Sequence, residues 1–230
     1  MPAPSGVSLR NPGAVDTVGL WLWNEAAPSD RPVVLLAHGA GSRADHPVHV
    51  GVCAAIAATG RPVAAFNFPY AQAGSRSPDR TQRLLDCFVD VAAVVGARLP
   101  GRPLIAGGRS MGGRMASLLA ADGHPFAGLA LLNYPLIGIR SGPERPPRVD
   151  HWPQLDLPVL FVHGTRDRLL PLDLFERHRG TLAGPVSVHV VDGADHSFGV
   201  LRGAGRTPHD VYAEVAEAVA GWSQTLRVPA

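Results

Sequence analysis

Pro103-Leu104-Ile105-Ala106-Gly107-Gly108-Arg109-Ser110-Met111-Gly112-Gly113-Arg114-Met115-Ala116-Ser117-Leu118-Leu119 is the stretch that decides the fold. It opens as a short apolar run, Leu104 to Ala106, and closes as a helical pattern from Arg114 onward. Between them lies G-x-S-x-G, Gly108 to Gly112. A strand that turns this abruptly into a helix leaves no room for side chains two residues before and after the serine, so glycine belongs at both places. The Ser110 hydroxyl is then held out at the carboxyl end of a strand, beside helix N–H groups that favour negative charge. Ser110 is the candidate nucleophile.

Outward from this turn, strand and helix signals alternate. Strands are expected at Val18 to Trp23, Val33 to Ala37, Pro62 to Phe68, Leu129 to Leu132, Val159 to Val162 and Val186 to Val191. Helices are expected at Val48 to Ala58, Asp79 to Leu99, Leu172 to Leu182 and Asp210 to Leu226. The unbroken apolar run Val33 to Ala37 is that of a strand buried on both faces. Such alternation implies an α/β fold, a mainly parallel sheet covered by helices on both sides. With 230 residues and no visible linker or repeat, residues 1–230 are expected to form one domain. One irregular excursion, rich in proline and charge, runs from Tyr134 to Leu157, and segments of that length usually border a site or move.

A serine hydroxyl needs a base to take its proton, and the base needs a group to orient it. In parallel α/β architectures these partners come from later strand ends, the acid before the histidine. Phe161-Val162-His163-Gly164-Thr165-Arg166-Asp167 places Asp167 at one strand end, and Val191-Asp192-Gly193-Ala194-Asp195-His196 presents His196 after the next. Rival acids are Asp192 and Asp195; rival bases are His178, His189 and His209, each more simply a surface or core histidine. Developing negative charge on a carbonyl oxygen calls for backbone donors, worth about 3 kcal/mol each. The N–H of Met111 is one candidate for this oxyanion hole. The other comes from the turn His38-Gly39-Ala40-Gly41-Ser42, at Ala40 or alternatively Gly41, with His38 bracing the loop.

Other chemistries are poorly supported. Gly39-x-Gly41-x-x-Ala44 loosely fits a dinucleotide fingerprint, but the second strand ends in Phe66-Asn67-Phe68-Pro69, without the acid that would hold a ribose. There is no P-loop and no metal-ligand cluster, and His46 with His49 reads as a solvated helix start. A net charge of +2, with arginines scattered and no lysine at all, argues against a nucleic-acid partner. No signal peptide or membrane-spanning stretch is visible, and Cys53 and Cys87 read as buried thiols, which together point to the cytoplasm. Arg109 and Arg114 flank the nucleophile. They are expected to form buried ion pairs that anchor the turn to the 134–157 excursion; a cationic rim for anionic substrates is the alternative.

Four stretches taken together, His38-Gly39-Ala40-Gly41, Gly108 to Gly113, His163 to Asp167 and Gly193 to Phe198, resemble the α/β-hydrolase superfamily. The small lidless form, Asn67-Phe68-Pro69-Tyr70 and the Arg-Ser-Met-Gly-Gly-Arg run are similar to its dienelactone-hydrolase-like branch, most of all to testis-expressed-protein-type members. The resemblance implies a three-layer sandwich with a sheet of about seven or eight strands and a Ser110–His196–Asp167 catalytic triad. The resemblance itself transfers no substrate; the reading reached from these residues is a serine hydrolase of small or medium carboxylic esters or thioesters that needs no cofactor or metal. Dienelactone hydrolases proper carry cysteine at the nucleophile position, and this chain carries serine. Two alternatives stand beside it: a non-catalytic scaffold on the same fold, or the same residues applied to peptide, lactone or carbon–carbon bonds. The expected partner is a small-molecule ester; oligomeric state, physiological substrate and pathway are not legible.

Overall fold

The computed structural model describes residues 5–9, 18–138 and 146–226. Eight strands form one sheet: β1 (Ser5–Leu9), β2 (Val18–Trp23), β3 (Val33–Ala37), β4 (Val63–Phe66), β5 (Leu104–Arg109), β6 (Gly128–Leu132), β7 (Val159–Gly164) and β8 (Val186–Val191). Their order across the sheet is β1-β2-β4-β3-β5-β6-β7-β8. The first two strands pair antiparallel at one edge, and every pairing from β4 to β8 is parallel. All these parallel strands therefore end on the same side of the sheet, where the loops that follow them converge.

The helices are α1 (Pro47–Ala58), α2 (Pro69–Gln72), α3 (Thr81–Arg98), α4 (Met111–Ala121), α5 (Leu172–His178) and α6 (Pro208–Ser223). Side-chain alternation in the sheet splits the core in two. Along β3, Val33, Leu35 and Ala37 point into one cluster with Leu84 and Phe88 of α3, Met115 of α4 and Phe175 of α5. Val34 and Leu36 point into the other with Val52 and Cys53 of α1 and Val211 and Val215 of α6. No β3 residue is more than 1% exposed, the double burial that its continuous apolar run requires.

Helix ends follow their local chemistry. Thr207 and Asp210 form a reciprocal capping box that starts α6, with Pro208 in its first turn. Arg61, 2% exposed, donates to Ser223 Oγ at 2.6 Å and to the Ala220 carbonyl at 2.5 Å, so the far end of α6 is tied to the connection between α1 and β4. Several boundaries differ from expectation. The β4 ladder stops at Phe66, because Asn67 and Phe68 turn away into α2, a short helix with no periodic signal. The helix from Leu172 stops at His178 and continues only as a 3-10 turn, Arg179–Thr181. β1 was not anticipated.

The 134–157 excursion is described at both ends but not over 139–145. Its ends are far from a loose surface loop. Tyr134, Trp152 and Leu155 are fully buried, and Trp152 packs its ring 5.5 Å from Phe161 and 6.1 Å from Phe175. Cys53 and Cys87 are both buried thiols. Among the described residues no helix is long and apolar enough to cross a membrane.

Candidate active site

The turn between β5 and α4 is as tight as its glycines imply. A Cβ on Gly108 would lie 2.3 Å from the Ala37 carbonyl oxygen, and one on Gly112 would lie 2.2 Å from the same atom. β3 thus presses directly against the turn, and only hydrogen fits at both places. Ser110 itself adopts φ 53°, ψ −116°, a conformation rare for a residue with a side chain. Its amide is satisfied by the Leu132 carbonyl of β6 at 2.9 Å, so both neighbouring strands fix the turn.

Strand ends then deliver the partners. Ser110 Oγ lies 2.9 Å from His196 Nε2. The other ring nitrogen, Nδ1, lies 2.9 Å from both carboxylate oxygens of Asp167. An Asp167 side chain that is wholly buried also accepts the Leu169 N–H at 2.8 Å, so the carboxylate is aimed from two directions. His196 keeps 26% side-chain exposure, so the ring is not sealed from solvent. The rivals are accounted for elsewhere. Asp195 accepts the N–H groups of Ser197 and Gly199 and shapes the loop that carries His196. Asp192 is exposed beside Thr165, His189 meets Glu214 at 2.9 Å, and His209 is exposed at the start of α6.

Ser110, Met111 and Ala40 line one cleft of about 640 Å³, within the range of small-molecule sites. As the first residue of α4, Met111 has an N–H without an intrahelical acceptor. The loop carrying Ala40 is braced by His38. His38 Nε2 accepts the Phe68 N–H at 3.1 Å, which leaves the proton on Nδ1, 2.9 Å from the Gly39 carbonyl. Burial lowers the pKa of this ring to about 4, so it is neutral and a fixed tautomer. Asn67, where a nucleotide fold wants an acid, instead accepts the Ala44 N–H at 2.8 Å and closes the same loop.

Two expectations need correction. Arg109 and Arg114 do not form ion pairs: among the described residues neither meets a carboxylate, and the Nε of each is buried without a hydrogen-bond partner. They also part company. Arg114, in the first turn of α4, lines the cleft, whereas Arg109, at the end of β5, does not and feels Tyr212 and Asp195 instead. Of His46 and His49, read as a solvated helix start, only His49 departs from that reading, since His46 is exposed at the first turn of α1. His46 caps α1 through the Val48 N–H, while His49 is buried with Nε2 3.3 Å from the Leu36 carbonyl.

One contributor escaped the sequence reading. Asn133, at the end of β6, has φ 48° and donates from Nδ2 to the His196 carbonyl at 3.0 Å. An asparagine directly after a buried apolar strand was the available signal, since Asn is among the few side chains that tolerate this backbone region.

Residues 30–224 match the family model of an alpha/beta hydrolase domain. The chain belongs to that family. This hydrolase-family chain is also 35% identical over 159 residues to the candidate esterase NocK of Nocardia uniformis subsp. tsuyamanensis, a match covering 64% of the chain. It spans 43% of NocK's length. Among solved structures it is similar to dienelactone hydrolase from Anabaena variabilis, with TM-score 0.73, 16% identity and coverage of 98% of this chain and 100% of that one. It is similar as well to Est1E of Butyrivibrio proteoclasticus with ferulic acid bound (TM-score 0.72, 17% identity, 96% and 98% covered). A lidless serine hydrolase from Xanthomonas campestris gives TM-score 0.69 at 20% identity, with 96% of each chain covered. At these identities the structural likeness concerns the fold alone.

Proposed function

We propose that this chain is a serine hydrolase cleaving small or medium carboxylic esters or thioesters through an acyl-enzyme. The observation that carries the reading is the hydrogen-bonded row from Ser110 Oγ through the His196 ring to Asp167, opening on a cleft that also holds Ala40 and Met111. His196 Nε2 takes the hydroxyl proton as Ser110 Oγ bonds to the substrate carbonyl carbon. Asp167 holds the opposite N–H and stabilises the imidazolium. The N–H groups of Met111 and Ala40 receive the oxyanion. Collapse of the tetrahedral intermediate expels the alcohol or thiol, which takes the proton from His196. A water, deprotonated by the same ring, then attacks the acyl carbon, and the acid leaves as Ser110 regains its hydrogen. NocK, named as a candidate esterase, and Est1E, solved with ferulic acid, favour esters as the substrate class.

A fluorophosphonate probe tests this directly. It should label the protein once, at Ser110, and Ser110→Ala should lose both the label and ester hydrolysis, by about four orders of magnitude or more. No labelling of the native protein would favour a non-catalytic scaffold; labelling elsewhere would refute the assignment of Ser110.

A further inference from the structure

Arg114 sits one helical turn beyond Ser110, its amide bonded to the Ser110 carbonyl at 3.1 Å, and its side chain lines the same cleft. Its charge is uncompensated. Arg43, Arg83, Arg98, Arg177, Arg179 and Arg206 each meet a carboxylate. Arg114 meets none among the described residues, and its Nε is enclosed by protein with no acceptor. A guanidinium on the cleft wall with no carboxylate beside it favours an anion brought in through the cleft. Its neighbours on the protein side are neutral: His151, whose Nε2 is 2.8 Å from Ser117 Oγ, and the buried phenol of Tyr134. Asp79, the carboxylate on the cleft wall, is already engaged by the Tyr70 N–H at 2.8 Å and by Arg83 at 3.1 Å. A second guanidinium, Arg148, lines the cleft too, and the apolar side chains of Leu84, Met115 and Leu169 share the wall with Ser110.

We infer that the substrate is an ester whose acyl chain ends in a carboxylate, with Arg114 as the residue that selects it. This rests on the serine hydrolase reading. The apolar residues of the wall suit a short aliphatic spacer between the ester carbonyl and the anion. The acyl side is the fitting place for the anion, because the acyl group stays on Ser110 through both half-reactions while the alcohol departs after the first. A guanidinium grips a carboxylate in two parallel hydrogen bonds, which is why arginine suits this position better than lysine.

The test compares the 4-nitrophenyl monoester of glutarate with 4-nitrophenyl valerate, which has the same chain length and leaving group without the charge. The native protein should prefer the glutarate ester in kcat/KM, and the preference should weaken with salt. Arg114→Met should reduce the ratio of the two by about tenfold to a hundredfold, and Arg114→Lys should keep part of it. A ratio unmoved in both variants overturns the carboxylate proposal and leaves the hydrolase reading intact. Failure to cleave either ester, with Ser110→Ala no different, overturns both. A readout independent of turnover guards against misfolded variants. Glutaramate, but not the uncharged valeramide, should raise the Tm of Ser110→Ala and should lose that effect in Ser110→Ala/Arg114→Met; equal shifts with both compounds contradict the assignment.

Discussion

Asp167 bonds His196 Nδ1 with both oxygens at 2.9 Å while its own backbone and the Leu169 N–H hold it in place. An amide at this position would keep the shape but favour the wrong imidazole tautomer. Asp167→Asn should therefore fold normally and lower kcat by about four orders of magnitude, with KM little changed. A loss below tenfold in steady-state kinetics would show that another group orients the ring. Ser110, Asp167 and His196 were legible because each stands at a strand end in a fixed chain order. Asn133 and the actual surroundings of Arg109 and Arg114 were not, since no spacing rule says which carbonyl an amide reaches or whether a cation finds an acid.

At the scale of elements, the turn between β5 and α4 is a contact between three strands rather than a local device. Gly108 and Gly112 both face the Ala37 carbonyl of β3, and Ser110 hangs from the Leu132 carbonyl of β6. Gly112→Ala would bring a methyl to 2.2 Å from that oxygen, so β3 or α4 must shift. Chemical denaturation should show a loss of about 3 kcal/mol or more, and whatever folds should hydrolyse esters poorly. Wild-type stability in this variant would mean that the turn has slack the geometry does not show. The strands and long helices were readable from periodicity, as with the unbroken run of β3 and the amphipathic face of α3. α2 was invisible because four residues carry no period, and the buried ends of the 134–157 excursion were hidden because aromatic anchors such as Trp152 follow no repeat.

At the scale of the whole molecule, the fold keeps several histidines neutral. Burial lowers His38, His151 and His163 from 6.5 to about 4 and His49 to about 3. Unfolded, each would titrate near its ordinary value, so between these limits the unfolded chain binds more protons. The stability they confer is complete above pH 6.5 and is lost as pH falls toward 4. Each such proton steepens the decline by about 1.4 kcal/mol per pH unit. Urea midpoints taken from pH 7 downward should fall steeply through this window, and His163→Phe should flatten the slope by one proton. A flat profile between pH 6.5 and 4 would contradict the burial of these rings.

The order of the strands has a consequence in time. His196 lies 86 residues beyond Ser110 along the chain. Because β5 is flanked by β3 and β6, both neighbours of the strand leading to the hydroxyl precede the segment with the imidazole along the chain. On the proposed roles, a nascent polypeptide cannot complete the row that takes the serine proton until residue 196 has been made, 86 residues after the hydroxyl.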